Sequence, residues 1–216
     1  DYYNVITINM FRYLFLFSFV ILINSQKNKS VILVSRSKYK YIQLIRGSIL
    51  AVEMCFAHYL FLKIGLIETH AIFASCPLIV AALSVVFLNE KVSWRRYLAT
   101  IIGFIGALVA VDPFSADLSG ILWVLLLPFF PAASYLIVRK YGQQESLFSF
   151  LIYGKLFMIL FSLIFVFNFY KPMPIDDLLI NLGSGVLRGV AIIFVINSAR
   201  HLPSSIFASA QYIQII

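Results

Sequence analysis

An all-α, polytopic membrane helix bundle is the fold class this sequence predicts, and three observations predict it. Of the 216 residues, 62% are hydrophobic and only 12% are charged, where a soluble domain carries about 25% charged residues. The apolar residues fall in continuous runs close to the roughly 20 residues that cross the hydrocarbon core of a bilayer. The basic residues lie between those runs. The net charge of +8 therefore fits the cytoplasmic loops of a membrane protein better than a nucleic-acid-binding face. The runs do not alternate with period two, which argues against a β-barrel.

Taken in order, the runs predict seven complete spans and one partial one. They cover residues 5–24, 43–62, 70–88, 97–112, 119–138, 147–169 and 180–200, with an eighth starting near Ser204. The chain opens at Asp1 without a methionine and closes at Ile216 inside an apolar run, so it is read as part of a longer protein. Lys27, Lys29, Arg36, Lys38 and Lys40 follow the first span, and Lys91, Arg95 and Arg96 follow the third. Arg139 and Lys140 follow the fifth, and Arg200 follows the seventh. The other loops hold only Lys63 and Lys171, with Glu68, Asp117, Asp176 and Asp177. Every second loop is basic, which places those loops on the cytoplasmic side.

Several features inside the spans carry chemistry or packing. Helices associate in lipid through close contact between small residues. Ala99, Gly103 and Ala107 form one such stripe, widened by Gly106 and Ala110. Pro77 in the third span, and Pro128 and Pro131 in the fifth, are expected to interrupt their hydrogen-bond ladders. Cys55 and Cys76 read as small core residues, with no metal-ligand spacing and no cofactor motif. A charge inside a span costs roughly 2.5–3.5 kcal/mol on insertion scales. That makes Glu53 a candidate for binding a substrate cation or a proton. His58, about 140° around the helix from it, is a second candidate for a substrate or proton role, beside the plainer reading of a histidine bonded to a backbone carbonyl. Arg46, a turn from its span's end, is expected to snorkel. Arg12 and Lys155 can do the same, and Arg188 is a candidate partner for an anionic group. Glu90, at the membrane surface beside Arg95 and Arg96, reads either as a solvated charge partner or as a residue that caps a helix or locks the two repeats together.

Ile72-Phe73-Ala74-Ser75 at the opening of the third span recurs as Ile206-Phe207-Ala208-Ser209 at the opening of the eighth. The two copies are five spans apart and so face opposite sides, the pattern of an inverted-topology repeat such as transporters use.

Arg46-Gly47, Pro77 and the stretch FLNEKVSWRRYLATIIGFIGALVAVDP from 87 to 113 resemble the EamA branch of the drug/metabolite transporter superfamily. Glu90, Arg95, Gly103, Gly106 and Pro113 match its pattern. The Leu-Asn-Glu loop and the Gly-Phe-Ile-Gly helix are also similar to those of S-adenosylmethionine uptake carriers within that branch. The resemblance implies a ten-helix inverted-repeat transporter in a bacterial inner membrane. Residues 1–113 would be the first repeat without its first helix, and 114–216 the second, cut in its fourth. It also implies a cavity drawing on Ser75, Asn197, Ser209, Gln211 and Tyr212, with Trp123 and Tyr135 as aromatic walls. The expected partners are a small-molecule substrate, the lipid bilayer and a coupling ion or proton. An integral membrane enzyme, or a receptor or scaffold, are the alternatives. No His-Glu-x-x-His, paired acidic or Gly-x-Ser-x-Gly motif is present to support an enzyme.

Overall fold

The computed structural model describes residues 5–26, 37–111, 126–169 and 174–211, and every regular element among them is a helix. The chain divides into two compact units. Unit 1 comprises Asp1–Ala51 and Gly142–Asn197, and unit 2 comprises Val52–Tyr141 and Ser198–Ile216. Each unit draws on residues from both sides of position 113.

In unit 1, α1 (Val5–Gln26) packs along α7 (Leu147–Phe169). Thr7, Met10, Tyr13, Leu16 and Val20 are buried at three- and four-residue steps, which is one stripe of a helix. Unit 1 also holds the first part of α2 (Lys40–Ile64) and most of α8 (Ile175–His201). Against α1, α8 presents Gly185 and Gly189. A Cβ at Gly185 would sit 3.0 Å from the Arg12 carbonyl oxygen, and one at Gly189 would sit 2.7 Å from the Phe19 ring. The close helix contact through small residues that the sequence suggested for α5 is thus seen on α8, while the surroundings of the α5 glycines lie outside the described residues. Leu179, Ile180, Leu187 and Phe194 of α8 stay exposed, as befits a helix whose solvent is lipid.

Unit 2 holds the rest of α2 with α3 (Leu66–Phe73), α4 (Cys76–Leu88), α5 (Trp94–Val111), α6 (Phe129–Tyr141) and α9 (Ser204–Ala210). Helix α4 packs on α5, α6 and α9. Its core joins Cys76, Val80 and Ala81 to Ala132 and Ala208, with Ile79 and Tyr135 against them. A second cluster joins Ala57, Leu60 and Leu127 to Phe56, Phe61, Ile72 and Phe73.

Two expectations need correction. The third span starts at Leu66 rather than residue 70, and it is broken into α3 and α4. The Ile72–Ser75 motif therefore lies at the break and not at the span's opening. Pro77 explains the break, because it has no N–H to donate to the Phe73 carbonyl four residues back and its ring crowds that carbonyl. The prolines of the fifth span also stand at a helix start. A turn over 126–128 precedes Phe129, and Pro131 occupies the third position of α6, where an N–H would have no intrahelical partner in any case. Residues 119–125 of that expected span, including Trp123, lie outside the described residues.

Among the described residues, three helical stretches are long and apolar enough to cross a membrane, namely Lys40–Phe61, Leu147–Ile164 and Ile175–His201. Thr7–Ile23 and Cys76–Leu88 are shorter apolar helices, and α3 and α4 together extend the latter.

The packing of α8 on α1 yields a test. Gly185→Leu and Gly189→Leu should each destabilise the protein by about 1–3 kcal/mol through overpacking. Gly183, where an added Cβ would meet nothing within 4 Å, should accept leucine without loss. Thermal unfolding of the three variants in detergent makes the comparison.

Candidate functional site

The polar groups of unit 2 converge on the junction between α8 and α9. Leu202 and Pro203 separate the two helices. In a continuous helix the Ser204 N–H would donate to the Arg200 carbonyl four residues back. Here each group has another partner. The Ser204 N–H donates to Glu90 Oε2 at 2.8 Å. The Arg200 carbonyl accepts from an Arg139 Nη at 3.0 Å. Arg139 Nε in turn donates to Glu90 Oε1 at 2.8 Å. One ion pair thus takes up both halves of a parted helical hydrogen bond. The signs also suit the helix dipoles, with a carboxylate at the start of α9 and a guanidinium at the end of α8.

Local structure aims Glu90 at the junction. Asn89 ends α4 in the left-handed region, with φ 53°. The amides of Asn89 and Glu90 both return to the Ser84 carbonyl. Of the two readings of Glu90, this geometry matches the helix cap and not the solvated partner of Arg95 and Arg96. The reason is steric and local: the turn at Asn89 carries Glu90 to α6 and α9. Arg95 is exposed, and the side chain of Arg96 lies outside the described residues.

Deeper in unit 2 the break between α3 and α4 gathers other predicted residues. Ser75 Oγ donates to the Ile72 carbonyl at 2.7 Å, supplying a side-chain donor at the turn. Tyr135 meets the Phe207 ring edge-on, with centroids 4.9 Å apart. Glu53, half-buried on α2, lies within electrostatic reach of Cys76. His58 is buried, with Nδ1 2.7 Å from the Met54 carbonyl oxygen. Ser209 Oγ donates to the Ser205 and Ile206 carbonyls at 3.1 Å. Gln211 stands at the C-terminal end of α9 with its backbone N–H returning to that helix. Glu53, Ser75, Tyr135 and Ser209 therefore belong to one neighbourhood of elements around α4. Asn197 and Arg188, both on α8 in unit 1, are exposed. Tyr212 lies outside the described residues. So do the side-chain surroundings of Gly103, Gly106, Ala107 and Ala110 on α5, while Ala99 is exposed.

Unit 1 corrects the reading of its basic residues. Arg46 does not snorkel. It is 3% exposed, donates to the Phe150 carbonyl at 2.8 Å and lies 5.3 Å from the centre of the Phe150 ring. The adjacent Gly47 faces the Phe157 ring, so a side chain there would push α7 away. Lys155 is also buried, with Nζ 5.0 Å from the centre of the Tyr13 ring. Arg12 Nε donates to Ser184 Oγ at 3.2 Å. Glu145, not foreseen from the sequence, is buried and accepts the Tyr39 N–H at 2.9 Å beside the start of α2. It ties together the starts of the second and sixth spans, which loop charge had placed on one side.

Discontinuous apolar helices, with ionisable groups held among them and large apolar faces left exposed, define an integral membrane protein of the polytopic helical class. The family model for the EamA-like transporter family matches residues 1–111, and the chain belongs to that family. It is 24% identical over 178 residues to the S-adenosylmethionine uptake transporter of Rickettsia bellii, covering 82% of this chain and 61% of that relative. It is 30% identical over 126 residues to the riboflavin transporter of Vibrio cholerae, covering 56% and 41%. It is 24% identical over 176 residues to the pseudopaline exporter CntI of Pseudomonas aeruginosa, covering 80% and 62%. The chain thus spans about three-fifths of the length of the first of these relatives.

The contact between Tyr135 and Phe207 separates packing from chemistry. Tyr135→Ala should destabilise the full-length protein by about 3–5 kcal/mol, because the ring fills the α4–α6–α9 core. Tyr135→Phe, which keeps the ring, should lose much less. Melting temperatures of the two variants check this, and equal stability of both would contradict the packing role.

Proposed function

We propose that the intact protein is a secondary transporter of a small polar metabolite, working by alternating access in a bacterial inner membrane, and not an enzyme. The observation that carries the reading is the break of the third span at Ala74 and Ser75, beside Pro77. Transporters of unrelated sequence build their sites from discontinuous helices, whose interrupted backbone lines a cavity instead of meeting lipid. Glu53 and Tyr135 stand around this break, and a carboxylate within a span is retained for a reason. Glu53 is the group for a substrate cation or a coupling proton. Ser75 and Ser209 supply hydroxyls, and Tyr135 supplies an aromatic wall.

Residues 1–113 and 114–216 are two repeats of inverted topology within a ten-helix protein. The recurrence of Ile-Phe-Ala-Ser at 72–75 and 206–209, five predicted spans apart, supports this. The basic loops face the cytoplasm. The named relatives make S-adenosylmethionine and riboflavin the first compounds to try. They include both uptake carriers and an exporter, so uptake and efflux are both measured.

The test is transport by the intact gene product in cells and in vesicles, against S-adenosylmethionine, riboflavin and a set of amino acids. Saturable movement of one compound is expected. Glu53→Gln should lower it about tenfold or more, as loss of a charged partner does, with the amount in the membrane unchanged. No transport of any compound by correctly inserted protein would contradict the proposal. Full transport by Glu53→Gln would remove Glu53 from it.

A further inference from the structure

We propose that the α8–α9 junction is a two-state switch, and that the Glu90–Arg139 pair is the wedge that holds it open. The proposal rests on the transport reading for its purpose, though not for its geometry. In the observed state the pair occupies the Ser204 N–H and the Arg200 carbonyl. In the other state the pair withdraws and these two groups bond to each other, so that α8 and α9 run on as one helix. Pro203 permits both states. In the continuous state it removes its own hydrogen bond to the Ala199 carbonyl and its ring kinks the helix there, but it leaves the Arg200–Ser204 bond available. The Ser204 N–H and the Arg200 carbonyl have a partner in either state, and the Ala199 carbonyl that the proline leaves without an intrahelical donor is a group that neighbouring side chains or water satisfy in proline-containing membrane helices.

The exposure of the pair suits a device that opens and closes. The side chains of Arg139 and Glu90 are 25% and 17% exposed. A fully exposed pair shifts a population by less than about fivefold. Breaking a fully buried one shifts it by about a hundredfold or more, because an unpaired charge is left out of water. A partly exposed pair with three charge-assisted hydrogen bonds falls between. It holds one state and can be released when water reaches the separated groups.

The surrounding packing makes this pair decisive. Against α4 and α6, α9 offers Ala208 and Phe207. In lipid, apolar helix faces gain little from meeting each other, since the chains of the bilayer are as apolar as they are. A seven-residue helix packed on α4 and α5 through small side chains and one ring therefore depends on its polar tie more than it would in water. Releasing Glu90 frees the start of α9 and the end of α8 together, and α6 with them through Arg139. Three elements are coupled through two side chains, and a change at the junction is felt at Tyr135, which touches Phe207.

Spin labels on Ala191→Cys and Ala210→Cys, both exposed positions, measure the distance across the junction in the full-length protein, with Cys55 and Cys76 replaced by alanine. One dominant population is expected with Glu90 and Arg139 intact. Glu90→Gln and Arg139→Gln should each raise, by about tenfold, the share of a second population near the roughly 28 Å of a continuous helix. Arg139→Lys, which keeps the charge but not the forked geometry, should lie between and carries the test if the other variants fold poorly. Unchanged distances in these variants overturn the proposal. A bifunctional thiol reagent joining Glu90→Cys to Arg139→Cys should stop transport, with recovery on reduction, whereas a static brace would tolerate it. Transport that continues in the joined protein also overturns the switch. The distance measurement needs no substrate, so a failure of the transport reading would leave a shifted distance standing.

Discussion

The constraint on which the rest of this structure depends is that a backbone N–H or C=O cannot be left without a partner in hydrocarbon. A helix solves this for its interior but not for its ends. Every place where this chain interrupts a helix therefore has to supply replacement partners from inside the protein. At the end of α3 the Ile72 carbonyl receives the Ser75 amide and hydroxyl. At the end of α4 the Ser84 carbonyl receives the Asn89 and Glu90 amides. At the α8–α9 junction the replacement is ionic, and it comes from the turn after α4 and from α6. The first two repairs are local and fix the shape of a turn. The third joins distant parts of the chain, and so it can transmit movement.

The prolines show how the sequence chooses these places. Pro77, Pro131 and Pro203 each stand at or close to the start of a helix, where the absent N–H costs nothing extra. A glycine-based break would have left the chain free to bend anywhere nearby. Proline fixes the point of interruption while leaving the helices on either side intact. The result is a set of rigid segments with defined joints, which is what a mechanism of rigid-body movement requires.

Much of the fold is legible in the sequence, because membrane spans announce themselves through long apolar runs and through the charge of the loops between them. The observed ends of α1, α2, α7 and α8 fall within a few residues of the predicted runs. The break in the third span is not legible in the same way. Its apolar run continues across Ala74 and Ser75, and only Pro77 hints at it. The partner of Glu90 is hidden for a different reason. Arg95 and Arg96 are near in sequence, whereas Arg139 is 49 residues away, and pairing at that range depends on how α4 and α6 pack. Arg46 is hidden because snorkelling is inferred from distance to a span's end, without knowledge of the carbonyl that α7 offers it. Gly185 and Gly189 are legible in principle, since their four-residue spacing is the same small-residue pattern that marks α5.

The central claim is that Glu90 and Arg139 have taken the places of Arg200 and Ser204 in each other's hydrogen bonding. Amide hydrogen exchange at single-residue resolution, on the full-length protein in a lipid nanodisc, tests this at the Ser204 N–H. Slow exchange is predicted there with Glu90 intact, although the residue opens a short helix after a proline, and faster exchange with Gln at position 90. An amide at Ser204 that exchanges as freely as an unstructured one while Glu90 is intact would contradict the claim.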